Sequence, residues 1–600
     1  MPNRICGHLA AAVAVMALSF PASGHAQASP YLNFEDLSSE LNDLADASDV
    51  VELRSLGQSH EGRDIWLLEV GDPDGAPLDE RPGVLVVANL EGDHLVGSTL
   101  ALEMVRYLSD NVASSDVSRA LQSQVIYIIP RLNPDGAEAM FADVRSGHRR
   151  NLRPQDDDND GRVDEDGPED LNGDGLITLM RVPDPAGDYT TDPDDPRVMK
   201  LADAAVGEAG EYSLHWEGMD DDGDGFINED GPGGVDLNRN FQHAYPYWEV
   251  DAGPFMVSEP ASRALMDFVI ANENIGAILT FGLSDNLVTP PDSDGELADP
   301  VMLAMDGFAD APYEEIFETG MFGNVATFEY YEQRFRGTQP GRDNEPGSGR
   351  RPAVTINEDD LEYYSAVSDA YKEITGIEHV PVHREPEGAF FQYGYFQYGV
   401  PSFTTPGWGV AEPQTGEDAP EVDGDAAILA SLEAAGSQPF ISWSAYEHPV
   451  LGRVEIGGFR PGANVNPPPA AVAELGRTHG QFLVRLADML PDVQIAATDV
   501  TSHGGGIYTV EATIVNEGYF PTSTRHGVVS ESVDPTIVQI GVPPADLVSG
   551  DDKTSRVERL EGSGSRDSFL WVIRGEPGQE VQIRVRAQKG GSAVETVRLP

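Results

Sequence analysis

The stretch "ANLEGDHLVG", Ala88 to Gly97, places a carboxylate, Glu91, and an imidazole, His94, three residues apart. They stand between a strand-like run, "GVLVVANL", and a helix that starts near Gly97. Both side chains are zinc-ligand types, and a strand-to-helix turn is a place from which both could face one ion. The turn is therefore a working zinc site, a rearranged one, or the remnant of one.

A second set of ligand-type residues lies in an acidic insertion between about Pro154 and Gly234. "DNDGRVDEDGP" (Asp158 to Pro168) and "DGDGFINEDGP" (Asp222 to Pro232) superimpose almost residue for residue, and "DLNGDGLIT" starts a third copy at Asp170. Oxygen ligands at alternate positions followed by a turn-permitting Gly are what calcium loops require. The candidate calcium ligands are Asp158, Asp160, Asp164, Asp166, Asp170, Asn172, Asp174, Asp220, Asp222, Asp224, Asn228 and Asp230. Position twelve is Gly167, Arg181 or Gly231 rather than Glu, so the last ligand has to come from elsewhere. The rival reading is a solvated acidic loop. Three copies, each with Val163, Ile177 or Ile227 at the eighth position, favour calcium.

These sites need a scaffold, and the chain is long enough to build several. Its 600 residues suit two or three folded units. From Tyr31 to about Leu490, near-continuous apolar runs ("DIWLLEVG", "GVLVVANL", "QVIYIIPRL", "IGAILTFGL", "VPSFTT") alternate with amphipathic helical periods, which predicts an α/β sheet covered on both faces. Residues 496–600 alternate with period two between Gly, Pro and Asp turns and predict a β-sandwich. Residues 1–28 read as an export signal ending at Ala26-Gln27-Ala28, and the single cysteine, Cys6, leaves with it. The mature protein is expected to be exported, without disulfides and without a membrane span. A net charge of −64 argues against nucleic acid and anionic membranes as partners.

Five motifs in order, "SHEGRDIWLLEVG", the Glu91 turn, "IIPRLNPDG", "RRNLR" and "GVDLNRNF", followed by "SEPASRAL", resemble the zinc carboxypeptidase family of the carboxypeptidase A type. The resemblance covers roughly Tyr31 to Leu490, interrupted by the insertion. It implies a mixed, twisted α/β sheet flanked by helices, a zinc ion held by His, Glu and a later His, and a Glu acting as general base and acid. It also implies that Asn238, Arg239 and Arg150 bind a peptide's C-terminal carboxylate and polarise the scissile bond. This sequence departs from that pattern at four metal-ligand and base positions, and the tyrosine expected upstream of Gly388 is also absent, with His383 or Arg384 nearby instead. The first His is Glu91 and the Glu is His94. The second His is Phe281, which has no lone pair to give. The general base is Pro406, and losing such a base alone costs about 10²–10⁴ in rate. None of the 13 histidines begins an H-x-x-E. Asp93 and Asp285 are the nearest conceivable substitutes.

Three functions compete. The first is an exported protein of this family with a decayed centre that still binds peptide or protein C-termini. The second is an active metallocarboxypeptidase with a zinc shell rebuilt on Glu91 and His94. The third is a calcium-stabilised structural or adhesive protein. The missing ligand and base favour the first and leave enzymatic activity undecided; calcium is the expected cofactor and zinc the open one.

Overall fold

The computed structural model describes residues 29–156, 161–293, 355–381, 386–410 and 424–600, apart from 206, 222, 224, 229, 230 and 232. The first strands are β1 (Val51–Gln58), β2 (Asp64–Val70), β3 (Gly83–Ala88) and β4 (Val125–Ile129). Four short strands lie in the insertion: β5 (Leu179–Pro183), β6 (Tyr189–Thr191), β7 (Met199–Leu201) and β8 (Tyr212–Trp216). Then come β9 (Ile275–Phe281), β10 (Ser402–Thr405), β11 (Phe440–His448) and β12 (Gly452–Phe459).

The central sheet has the order β1-β2-β4-β3-β9-β10. β1, β2 and β4 pair antiparallel, whereas β4, β3, β9 and β10 run parallel, so the sheet is mixed. All six residues of β3 are buried. Its alternate side chains divide between two cores: Val84, Val86 and Ala88 face one, Leu85 and Val87 the other. A strand buried on both faces has no polar side to show, which is why its sequence is an unbroken apolar run. The first core is covered by the helices Leu95–Asp110, Leu361–Thr375 and Val472–Asp488, the second by Pro260–Ala271. The result is a mixed α/β sheet flanked by helices.

A second six-stranded sheet, β11-β12-β5-β8-β6-β7, was not foreseen. Glu455, Ile456 and Gly457 of β12 pair with Arg181, Met180 and Leu179 of β5, so the acidic insertion is tied to a hairpin about 270 residues later. Met180, Val454 and Ile456 form its small core. Pairing at that sequence distance leaves no local signal, and strands of three to five residues show too few alternations to be read.

From Val493 to Arg598 two four-stranded sheets face each other across one core. Val510, Ala512, Trp571 and Ile573 come from one sheet, and Val538, Ile540, Ile583 and Val585 from the other. This unit docks on the first through buried polar contacts. Lys589 Nζ donates to the Glu273 carbonyl (2.9 Å) and lies 3.7 Å from the Tyr398 ring centre. Asp360 accepts from the backbone N–H groups of Arg525 and His526.

Among the described residues no helix is long and apolar enough to cross a membrane. Residues 1–28, which carry the export-signal reading and Cys6, lie outside the described residues.

Candidate metal centre and adjoining cavity

The parallel strands set the register of the site. Ala88 of β3 pairs with Phe281 of β9, and Phe281 pairs with Thr405 of β10. The carboxyl ends of the three strands therefore stop side by side, where open α/β sheets place their ligands. Immediately beyond them stand the Glu91 turn, Gly282 and Pro406.

Asn89 organises that turn. Its φ of 55° lies in the left-handed region, which asparagine tolerates better than most residues. From there its Nδ2 donates to the carbonyls of Glu91 (3.0 Å), Gly92 (3.1 Å) and His94 (3.2 Å). Glu91 and His94 are both completely buried as a result. Gly92 is required by closeness: a Cβ there would lie 2.6 Å from the backbone of Gly136 in "NPDG" and from the His148 carbonyl.

Of the four positions read from the sequence as substituted, His94 and Pro406 are joined to each other and Glu91 to Asn238. Glu91 Oε1 accepts from Asn238 Nδ2 at 2.9 Å, and Asn238 Oδ1 accepts from the Phe390 N–H at 3.0 Å. His94 Nε2 lies 3.1 Å from the Pro406 carbonyl oxygen. A carbonyl only accepts, so this nitrogen carries the proton and is a donor. Phe281 is fully buried in the first core and meets the His479 ring edge to face at 5.5 Å. His479 is itself sealed in, with Nδ1 donating to the Leu475 carbonyl and Nε2 accepting from the Tyr371 hydroxyl (2.9 Å). Burial pushes its pKa down to about 4, so it is neutral at physiological pH.

Zinc held in the family's manner needs three lone-pair donors converging on one point. Here the third position is an aromatic ring; with the proton on Nε2 the His94 lone pair lies on Nδ1, so Glu91 and His94 offer two ligand groups where three are needed. Among the described residues no three His, Cys, Asp or Glu side chains are placed to hold a metal ion. The substitutes are occupied as well. Asp93 pairs with Arg149 (3.6 Å), and Asp285 caps its own turn by accepting from the N–H groups of Leu287, Val288 and Thr289. The residues present do not fit a zinc ion.

The three residues expected to bind a carboxylate are separated. Asn238 is buried against Glu91. Arg239, on the same 3-10 turn, pairs with Asp251 at 3.3 Å. Arg150 lines a cavity of about 760 Å³ together with Asp93, His148, Arg149, Asp236 and Asp251. Arg153 binds the buried Glu259 instead (3.3 Å), alongside His60 and Asn151, and is structural.

The acidic loops are compact. In the best-described copy, Asp170 accepts from the backbone N–H groups of Gly173, Asp174 and Gly175, and Asn172 Oδ1 accepts from that of Asp174 (2.9 Å). Asp174 accepts in turn from the Leu176 N–H. The buried Glu217, from outside all three repeats, accepts from the N–H groups of Leu171 and Asn172. Burial raises its pKa. Asp166 of the first repeat accepts from the N–H groups of Asp221 and Asn228 in the last, which couples the two copies. Asp164 accepts from the Gln155 N–H and Asp220 from that of Gly223. Asp158, Asp160, Asp222, Asp224 and Asp230 lie outside the described residues.

The sequence model of the zinc carboxypeptidase family matches residues 37–319, and that of a domain family of unknown function matches residues 492–598. A zinc carboxypeptidase of Saccharothrix mutabilis subsp. capreolus is 32% identical over 125 residues, 20% of this chain and 28% of that protein. Carboxypeptidase M of Mus musculus is 36% identical over 97 residues, 16% of this chain and 21% of that protein. The matched segments thus span less than a third of either relative. A metallo-carboxypeptidase structure from Burkholderia cenocepacia aligns over 76% of this chain and 69% of its own, at 14% identity and a TM-score of 0.31. With the motif order from "SHEGRDIW" to "GVDLNRNF" inside the matched segment, residues 37–319 of this chain match the zinc carboxypeptidase family.

Proposed function

We propose that this protein is an exported, non-catalytic member of the family that binds peptides by their C-terminal carboxylate. The observation that carries the reading is the bond between Glu91 and Asn238, set beside the donation from His94 to Pro406. A ligand-type carboxylate and a substrate-type amide satisfy each other, and the general-base position contributes only a backbone carbonyl. Hydrolysis through this centre lacks both the water-activating ion and a proton acceptor. Arg150 keeps a guanidinium at the neighbouring cavity, and a fork of N–H donors suits a carboxylate. The acidic loops are proposed to bind calcium, which would neutralise carboxylates already folded into turns; Glu217, reaching in from elsewhere, is the candidate for the missing last ligand.

The deciding experiment is elemental mass spectrometry of the mature protein supplied with zinc and calcium, run with a peptide-binding assay. Calcium without zinc, and binding of free but not amidated C-termini, is the expected result. One zinc per chain, lost on changing Glu91 or His94, together with release of C-terminal residues would replace this reading with the rearranged enzyme. Binding of partners by residues 493–600 with no contribution from Arg150 would favour the adhesive reading.

A further inference from the structure

The 760 Å³ cavity has two walls. One is built around Asp93 and includes Arg149, Arg150 and Asp251. The other is built by the second sheet and the turn after it: Leu179, Trp216, Phe459 and Arg460. The walls touch where a Cβ on Gly147 would lie 3.4 Å from the Gly462 nitrogen. The volume falls within the range of small-ligand and short-peptide pockets.

The lining carries Asp93, Asp236, Asp251 and Asp425 as well as Arg149, Arg150 and Arg460, so what distinguishes it is which arginines are paired. The chain carries 102 acidic residues against 38 Lys and Arg, so most arginines would be expected to find a carboxylate. Arg149 pairs with Asp93, and Arg239, just outside, with Asp251. Arg150 and Arg460, one on each wall, have no carboxylate partner among the described residues; Arg460 Nε donates only to the Gln438 carbonyl. Arg150 is half-buried, and a guanidinium taken partly out of water without a partner is costly unless an anion arrives. The half-buried Arg150 and the exposed Arg460, in one cavity lined also by Trp216 and Phe459, fit a ligand with two anionic groups and an apolar body.

Resting on the reading above that C-termini bind here, we propose that the cavity selects short peptides with an acidic side chain near the C-terminus. Arg150 takes the terminal carboxylate and Arg460 takes the side-chain carboxylate. The second sheet then supplies the wall that sets specificity.

The test is fluorescence anisotropy on the full mature chain with N-terminally labelled pentapeptides. Acidic and neutral sequences are each presented with free and with amidated C-termini. The acidic free peptide is expected to bind at least tenfold more tightly than the neutral one. Arg460→Gln should shrink that ratio below threefold, and Arg460→Lys, which keeps the charge, should retain most of it. Equal affinity for acidic and neutral free peptides, or a preference that survives Arg460→Gln, would overturn the selectivity while leaving C-terminal binding intact. Amidated peptides binding as well as free ones would overturn the underlying reading instead.

Discussion

Two polar regions lie within a few residues of each other along the same turn and are treated in opposite ways. At the strand ends, Glu91 with Asn238 and His94 with the Pro406 carbonyl form two buried hydrogen-bonded pairs, and Phe281 is buried nearby in the first core. At the cavity, which begins at Asp93, Arg150 is held half out of water and faces open space. In one region the polar groups act as internal fasteners. In the other they remain available to a ligand. On the proposed function, the comparison teaches that polar groups at the strand ends serve as structure while those of the cleft beside them serve a ligand.

The comparison breaks most readily at Phe281. A position that once served a metal should tolerate truncation, whereas a core residue should not. Phe281→Ala removes a fully buried ring between His479 and the helix at Leu95–Asp110. It should cost about 3–5 kcal/mol, the usual range for emptying such a site. Urea denaturation followed by circular dichroism reads this directly. A loss below about 1 kcal/mol would mean that the strand ends are not packed as core.

Next in size is Asn238→Ala, which withdraws the amide donor from the Glu91 carboxylate and the acceptor from the Phe390 N–H. Leaving a buried carboxyl oxygen short of a donor costs about 1–3 kcal/mol. The double variant Glu91→Gln with Asn238→Ala should depart from additivity in a double-mutant cycle, because the two side chains are each other's partner. Strict additivity would show that the two residues do not act as a pair.

How much of this was legible in the sequence depends on the range of the interactions. The apolar strands β2, β3, β4, β9 and β10 were readable because burial on both faces is written locally, as in Val84 to Ala88. The substitutions at Glu91, His94, Phe281 and Pro406 were readable because each sits at a fixed offset from a motif. The use to which they are put was not, since a contact between Glu91 and Asn238 spans 147 positions. Asn89 was the overlooked signal: an asparagine directly after a strand is a candidate for a left-handed turn that hydrogen-bonds its own loop. The second sheet left almost no trace, because β5 and β12 each find a partner only in the folded chain. Asn238 and Arg239 stand in one motif, yet the backbone turn sends them to different partners.

The docking seam offers a pH readout that neither polar region shares. Burial pushes the Lys589 pKa from its ordinary 10.5 down to about 7, with Glu273 and Asp534 only partly opposing. A lysine whose folded pKa is depressed favours the folded state when neutral. Between pH 7 and 10.5 the unfolded chain binds more protons, so stability should rise with pH across that window. Its penalty is complete below about pH 7. Comparing the chain with Lys589→Met by denaturation at pH 6.5, 8 and 9.5 should show the difference between them narrowing or reversing as pH rises. Parallel pH profiles would remove Lys589 from the list of titrating groups.

The smallest effect on stability is expected at Arg150, and there the comparison is sharpest. Arg150 makes no side-chain hydrogen bond or ion pair among the described residues, so Arg150→Ala strands no partner and should change stability by less than about 0.5 kcal/mol. The same change removes the fork of donors proposed to hold a terminal carboxylate, and peptide affinity should fall at least tenfold, as expected for a charge-assisted bond. Phe281→Ala is the mirror case, in which folding stability suffers and any loss of binding follows the unfolded fraction. If Arg150→Ala lowered stability as much as Asn238→Ala, the cavity arginine would be one more internal fastener. If it left both stability and binding untouched, the cavity would have no claim on a carboxylate. Only a stable protein that no longer binds assigns the two neighbouring polar regions to different tasks.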